Sequence, residues 1–216
     1  MSEADLITIS PNMINVFKEC PQKFYYSYVE QISSPVLDKN FRTGKDIHAL
    51  ASYYLKGQDI SKFESVLSEE ELALWKKLKS SNYFRFDIIG VEQSMMSPLG
   101  DFWLSGRLDA IVKNNGDYYI LDYKTGEVDG DMVYNPQTMV YLIMCDEWLK
   151  DYQSLSFVYL DLKKERDIKI PFSHELKEKY TEKLLGICNQ IKNYNFNTTS
   201  IKKDCKCEYY NLCKFV

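Results

Sequence analysis

The hydrophobic pattern of the chain changes character near residue 84. Before that point apolar residues recur at helical spacing. Ser10-Pro11 supplies an N-cap and a first-turn proline, and Ile14, Phe17, Phe24 and Tyr28 continue the stripe, which predicts a helix to about Val29. A polar loop over 31–42 follows. Thr43 or Gly44 opens a second helix that carries His48 and Leu55 and stops near Gly57. Ser68-Glu69-Glu70-Glu71 fits a capping box and starts a third helix around Leu72, Trp75 and Leu78.

Beyond residue 84 the pattern reads as strands over 84–95, 101–113 and 117–124. A loop with Gly and Asp covers 125–134, and Asn135-Pro136 repeats the cap-plus-proline signal for a helix to about Leu149. Strands are expected over 154–161 and 167–171, and Ser173 caps a long helix to about Tyr194. The last twenty residues are polar, then cysteine-rich. No internal repeat or low-complexity segment interrupts this order. The expected class is α/β (α+β), a mixed central sheet flanked by helices. One domain is expected over 1–216, with a helical region 1–80, a sheet core 84–171 holding helix 135–149, and a C-terminal helix and tail 173–216.

Composition narrows this only a little. The chain has 216 residues and a formal charge of −4, which argues against a surface that binds polyanions everywhere but leaves room for one basic groove. The start, Met-Ser-Glu-Ala-Asp-Leu, is acidic and lacks the apolar stretch of a signal peptide. No run approaches the ~18 apolar residues of a membrane span. An intracellular, cytoplasmic protein is therefore expected, in which the six cysteines are metal ligands or buried thiols rather than disulfides.

The chemistry concentrates in the pair of strands around Asn115-Gly116. Asn-Gly between apolar runs is a strong hairpin signal, because a type I′ turn needs positive φ at both central residues. With those two as the loop, Asn114 pairs with Asp117, and Asp109 falls opposite Asp122. Opposed Cβ atoms lie about 4.5–5.5 Å apart, where like charges repel, and a divalent cation would turn that liability into a site. Lys124 projects from the same face as Asp122. In the same register Arg107 opposes Lys124, so the four charges could instead form a diagonal salt-bridge ladder.

Elsewhere, Cys205, Cys207 and Cys213 form a tight terminal cluster, with Cys20 near the other end, and four thiolates suit either zinc or an iron–sulfur centre. Cys145 and Cys188 lie in helical patterns and read as small buried hydrophobes. His48 is a lone helical histidine, and His174 reads as a surface or capping residue. Gln137 and Tyr141 are four apart and share a helix face. Glu92 sits in the strand before the hairpin and could face either side. Arg42, Lys45, Lys163, Lys164, Arg166, Lys202, Lys203 and Lys206 read as solvated charges or phosphate contacts.

In order, Cys20-Pro21-Gln22-Lys23-Phe24, His48, Gly106-x-x-Asp109, Asp122-Tyr123-Lys124-Thr125-Gly126, Gln137-x-x-x-Tyr141 and the three terminal cysteines span nearly the whole chain. This set resembles the RecB-like branch of the PD-(D/E)xK nucleases, in particular its members with an iron–sulfur cluster. Two relatives fit the pattern: the small CRISPR-associated exonucleases that trim prespacers for the adaptation integrase, and AddB-type nuclease domains. The resemblance implies a restriction-endonuclease-like core and a metal-dependent DNA exonuclease acting on single-stranded or frayed DNA. It implies His48, Asp109 and Asp122 as ligands of Mg²⁺ or Mn²⁺, with Asp109, Asp122 and Lys124 catalytic. Gln137 and Tyr141, together with Arg107 and Glu92, would organise the site or contact DNA. Cys20, Cys205, Cys207 and Cys213 would hold a [4Fe–4S] cluster that joins the two ends of the chain. A CRISPR adaptation integrase is the partner this would suggest, with no membrane involved. Two departures stand out: the second acidic position is Asp rather than Glu, and Cys205 and Cys207 are one residue apart where two are expected.

Overall fold

The computed structural model describes residues 7–33, 42–196, 205 and 207–213. A six-stranded mixed sheet lies between two helical layers. In chain order the elements are β1 (Ile7–Ile9), α1 (Pro11–Glu19), α2 (Pro21–Phe24), a π-helical turn (Tyr25–Val29), α3 (Arg42–Leu55), α4 (Ser61–Glu64) and α5 (Glu69–Lys79). A 3-10 turn (Asn82–Arg85) leads into β2 (Asp87–Leu99), β3 (Phe102–Asn114) and β4 (Asp117–Lys124). Then come α6 (Pro136–Trp148), β5 (Ser154–Asp161), β6 (Arg166–Pro171), α7 (His174–Lys192) and α8 (Tyr210–Cys213).

The long strand β3 organises the sheet. Along one edge it pairs with β2 from Phe102 to Lys113. Its other edge is shared, with β1 parallel to Phe102–Leu104 and β4 antiparallel to Ala110–Asn114. Between those two stretches this edge of β3 carries neither strand. β4 continues the sheet to β5 in parallel, through the α6 crossover, and β6 closes it antiparallel. Ile111, Ile120 and Phe157 face α1, α6 and α7, whereas Val112, Leu121 and Val158 face α3 and α5. Residues Thr138 to Cys145 of α6 are all buried, which explains why that helix has no polar stripe. Each such large apolar side chain contributes roughly 1.5–3 kcal/mol.

Most expected boundaries hold, and the capping reasons hold with them. Ser10 accepts from Met13 N, Asn135 from Gln137 N and Ser173 from Leu176 N, while Ser68 and Glu71 form the capping box. Asn115 (φ 49°) and Gly116 (φ 90°) both take positive φ, and Asn114 pairs with Asp117 as the type I′ turn requires. The expected helix over 11–29 is instead broken at Cys20, whose backbone is extended (φ −159°, ψ 110°). Pro21 is the cause: its ring disfavours helical geometry in the residue before it. β1 was not foreseen. Three residues that pair only with a strand almost a hundred positions away leave no periodic signal of their own.

Candidate active site

The site lies where β4 leaves β3. The register places Asp109 opposite Asp122, but the ladder stops at Ala110–Leu121, one pair earlier. Asp109 itself takes over there: its Oδ2 accepts the Tyr123 amide N–H at 3.0 Å. Its other oxygen, Oδ1, lies 3.0 Å from His48 Nδ1, and His48 Nε2 lies 2.9 Å from the Tyr123 carbonyl oxygen. Both imidazole nitrogens thus face acceptors, an arrangement that favours a proton on each. Burial would lower the His48 pKa, but Asp109, Asp122 and the Tyr123 carbonyl outweigh it and raise it to about 9. His48 is a cation in this arrangement.

Asp122 is the buried member of the set, at 3% exposure. Its Oδ1 accepts from Gln137 Nε2 at 2.6 Å, and its Oδ2 lies 2.8 Å from the Lys124 ammonium. Lys124 in turn donates to Gln137 Oε1 at 2.9 Å, closing a three-membered ring of contacts between β4 and the first turn of α6. Burial pushes the Asp122 carboxyl up, Lys124 opposes this, and the nearby Asp109 charge adds to it.

Glu92 completes the acidic group from β2. Its backbone is left-handed (φ 53°) inside a strand whose register shifts between Ile88 and Gly90. A non-glycine residue there stores strain, of the kind that collects at functional sites. The bent strand lets the Glu92 carboxylate meet Arg107 Nε at 2.5 Å and share the space of His48 and Asp109. The diagonal ladder considered above is not formed, since Arg107 turns to β2 and Lys124 stays within its own strand and α6. Tyr141 is buried, with its hydroxyl donating to the Arg107 carbonyl at 3.0 Å, where β3 lacks a strand neighbour. Gly106 makes this close approach possible, because a Cβ there would lie 2.3 Å from Tyr141 Cε1.

His48, Glu92, Arg107, Asp109, Lys124 and Gln137 line one open cleft of about 790 Å³, with Lys45 of α3 and Lys56 just past its end along the wall. Tyr141 does not line it. Among the described residues, His48, Glu92 and Asp109 are the one trio that brings three metal-ligand atoms within 4.8 Å of one another. The donor chemistry fits a divalent cation, with hard carboxylate oxygens and one imidazole, which would have to release a proton to become a ligand. His48, Arg107 and Lys124 offset the three carboxylates as ion-pair partners, and a bound metal would take over part of that role. Glu92 is the surprise of this trio. A strand pattern alone does not reveal which way a residue with left-handed backbone faces.

At the far end of the chain Cys20 sits in the break between α1 and α2, and Cys205, Cys207 and Cys213 flank or lie on α8. All four are free thiols of intermediate exposure, whereas Cys145 and Cys188 are fully buried. Burial raises the Cys213 thiol, and Cys20 and Cys205 are near enough to raise it further. Burial likewise pushes Cys207 up to about 11, with Cys205 adding to it. The two ends are tied by Lys23–Glu208 at 3.4 Å and by the Tyr209 hydroxyl, which donates to the Ile32 carbonyl at 2.9 Å. His174 opens α7 and is exposed. Lys202, Lys203 and Lys206 lie outside the described residues, as does the Arg42 side chain. No helix among the described residues is long and apolar enough to cross a membrane.

A mixed sheet, an acidic cleft at a split between strands and a lysine two residues past the buried aspartate define a nuclease fold of the restriction-endonuclease type. The chain matches the PD-(D/E)XK nuclease superfamily over residues 8–86 and 60–214, and it belongs to that superfamily. Nucleases of this superfamily use divalent metals. Among solved structures it is similar to a protein described as "Putative exonuclease" from Eubacterium rectale, at 9% identity and a TM-score of 0.57, with 95% of this chain and 87% of that one covered. It also aligns with the structure of SSO0001, at 15% identity and a TM-score of 0.46, over 99% of this chain and 87% of that one. At 9% identity the likeness to the first of these concerns the fold alone. No curated protein matches.

Proposed function

We propose that this chain is a Mg²⁺- or Mn²⁺-dependent DNA exonuclease that hydrolyses phosphodiester bonds of single-stranded or frayed DNA. The observation that carries the reading is the junction of His48, Glu92, Asp109, Asp122 and Lys124 in one cleft, three carboxylates each matched by a cation. His48, Glu92 and Asp109 would hold the metal, with Asp122 beside them. When bound, the metal supplies a polarised scissile phosphate and a more acidic water. Lys124 is held against Asp122 and Gln137 with its ammonium in the cleft, positioned to stabilise negative charge developing on the phosphate. Gln137 fixes both partners of that pair. Arg107, 64% exposed, is placed to exchange Glu92 for a substrate phosphate once a metal neutralises the carboxylate.

Labelled single-stranded DNA incubated with Mg²⁺ or Mn²⁺ tests this. Shortening from an end by the wild type, and its loss in Asp122→Ala, support the reading. An Asp122→Ala variant that degrades DNA as fast as wild type overturns the site assignment. DNA binding without cleavage under any metal makes the chain a binding subunit instead.

The four cysteines at the joined termini would hold a [4Fe–4S] cluster in a structural role. The thiols are half-buried and supplied by both ends, and burial raises those of Cys207 and Cys213, so metal binding there would release protons. Anaerobic purification with iron and sulfide analysis separates this from zinc, which is colourless. Prespacer trimming with a CRISPR adaptation integrase is the finer role to which motif order points, and co-purification with such an integrase tests it.

A further inference from the structure

Helix α3 carries more of the cleft wall than its histidine. Lys45, His48, Ala49, Ser52, Tyr53 and Lys56 all line the cleft, and their three- and four-residue spacing places them on one face. From Lys45 to Lys56 that face runs about 16 Å. A lysine stands at each end, with small residues in the middle, so the helix forms a floor between two cations. Tyr53 has a second role. It also lines a separate groove of about 510 Å³ on the outer side of α3, together with Ala49, Leu50, Phe63, Val66 and Leu67. The rings of Tyr53 and Phe63 are stacked there, with centroids 5.0 Å apart and planes 18° from parallel. Both rings are exposed, at 37% and 44%, and Val66 beside them is 79% exposed.

Two exposed aromatic rings held nearly parallel, with Tyr53 reaching the lysine-edged wall of the cleft, form a stacking platform. Asp46 and Glu71 also border the outer groove, so its charge is unfavourable for a phosphate. The groove therefore suits the uncharged part of a nucleotide, with the phosphates on the lysine side of α3. This reading rests on the proposed function, and it concerns the choice of substrate rather than the chemistry.

We propose that Tyr53 and Phe63 form a base-stacking subsite that receives an unpaired nucleobase adjoining the phosphate held at the carboxylates, and so select single-stranded over paired DNA. A base within a duplex is already stacked and hydrogen-bonded, and cannot reach the platform without being pulled out. Successive stacking on aromatic side chains beside a basic track is how proteins hold single strands without reading sequence.

The test uses the full chain and a short single strand carrying 2-aminopurine, with Ca²⁺ in place of the catalytic metal. Wild type is expected to quench the probe on binding. Tyr53→Leu and Phe63→Leu keep apolar bulk at the surface but lose the ring, and each should weaken single-strand binding about 5- to 100-fold. Both should raise KM for single strands by more than they weaken blunt-duplex binding, with the larger change in KM than in kcat, and Tyr53→Phe should restore wild-type behaviour. Melting temperatures of the variants serve as the folding control. If the wild type cuts single strands and the two leucine variants bind and cut them equally well, this inference fails alone. If the wild type neither binds nor cuts DNA, the proposed function has failed first. Equal loss on single strands and blunt duplex also overturns the subsite, because it would make the rings general binding residues.

Discussion

The acidic cleft and the cysteine corner are both assembled from distant parts of the chain, but on different supports. In the cleft, β2, β3, β4, α3 and α6 each contribute side chains from within or beside regular structure, and every carboxylate already has a protein cation against it. In the corner, the thiols come from a helix break, a tail and a four-residue helix, joined by aromatic contacts and single polar links. The difference teaches what each region requires of a metal. The cleft side chains are held by their own ion pairs and hydrogen bonds on regular structure, a framework that suits the proposed binding and release of substrate. The corner has four free thiols but little framework, so the proposed centre, if bound, would contribute order there.

The first way to break this comparison is to remove the buried charge from the cleft. Asp122→Asn is isosteric and ends the repulsion with Asp109, so its melting temperature should stay close to wild type. Its nuclease rate should fall about 1,000-fold, close to 4 kcal/mol of transition-state stabilisation. A large fall in stability would mean that the cleft is held together by the Asp122–Lys124 pair rather than by the sheet. Cys20→Ser should do the converse. Cutting the tie between residue 20 and the tail releases a very long loop, worth on the order of 4 kcal/mol by chain entropy. The metal content and melting temperature should drop, while the residual folded fraction keeps its rate per molecule. Cys145→Ala, which touches only the core, should leave the metal content unchanged.

A third variant probes how the cleft is tied to the fold. Gly106→Ala places a methyl group against the Tyr141 ring at a separation no packed core tolerates. Either α6 shifts or β3 bends, at about 1–3 kcal/mol. Because Gln137 is on the same helix, activity should fall along with stability, unlike Asp122→Asn. Denaturant unfolding and initial rates, measured on the same preparation, read both.

These contrasts also indicate what was legible beforehand. Asn115-Gly116 disclosed its turn and register because a two-residue turn has one favourable backbone solution. The helix starts were legible for the same reason, since capping is local chemistry. Pro21 carried the signal for the break at Cys20, but the apolar stripe on both sides of it suggested continuity. Two features had no local signature. Asp109 replaces a ladder partner with its own carboxylate, which only the departure of β4 from β3 makes possible. The left-handed backbone of Glu92 and the pairing of Tyr53 with Phe63 depend on neighbours that no residue spacing identifies.

The smallest effect belongs to a charged cluster that serves as a control for both regions. Glu64 of α4 accepts from the Trp75 indole at 2.6 Å and from Lys79 at 3.1 Å, with Lys79 also close to the Tyr54 ring. The indole hydrogen bond, then that of Lys79, holds the Glu64 carboxyl below its ordinary value of 4.5. A carboxyl depressed in the folded state contributes stability above its unfolded pKa, and that contribution is lost as pH falls through the depressed value. Glu64→Gln should therefore be less stable than wild type at neutral pH by less than about 1 kcal/mol, since the group is near the surface. The two proteins should converge below about pH 4, and neither chelator nor added Mg²⁺ should change the difference between them. Thermal melts from pH 3 to 8, with and without chelator, measure this. A difference that responds to metal would join α4 to the cleft and erase the boundary between a metal site and an ordinary salt bridge on which the comparison depends.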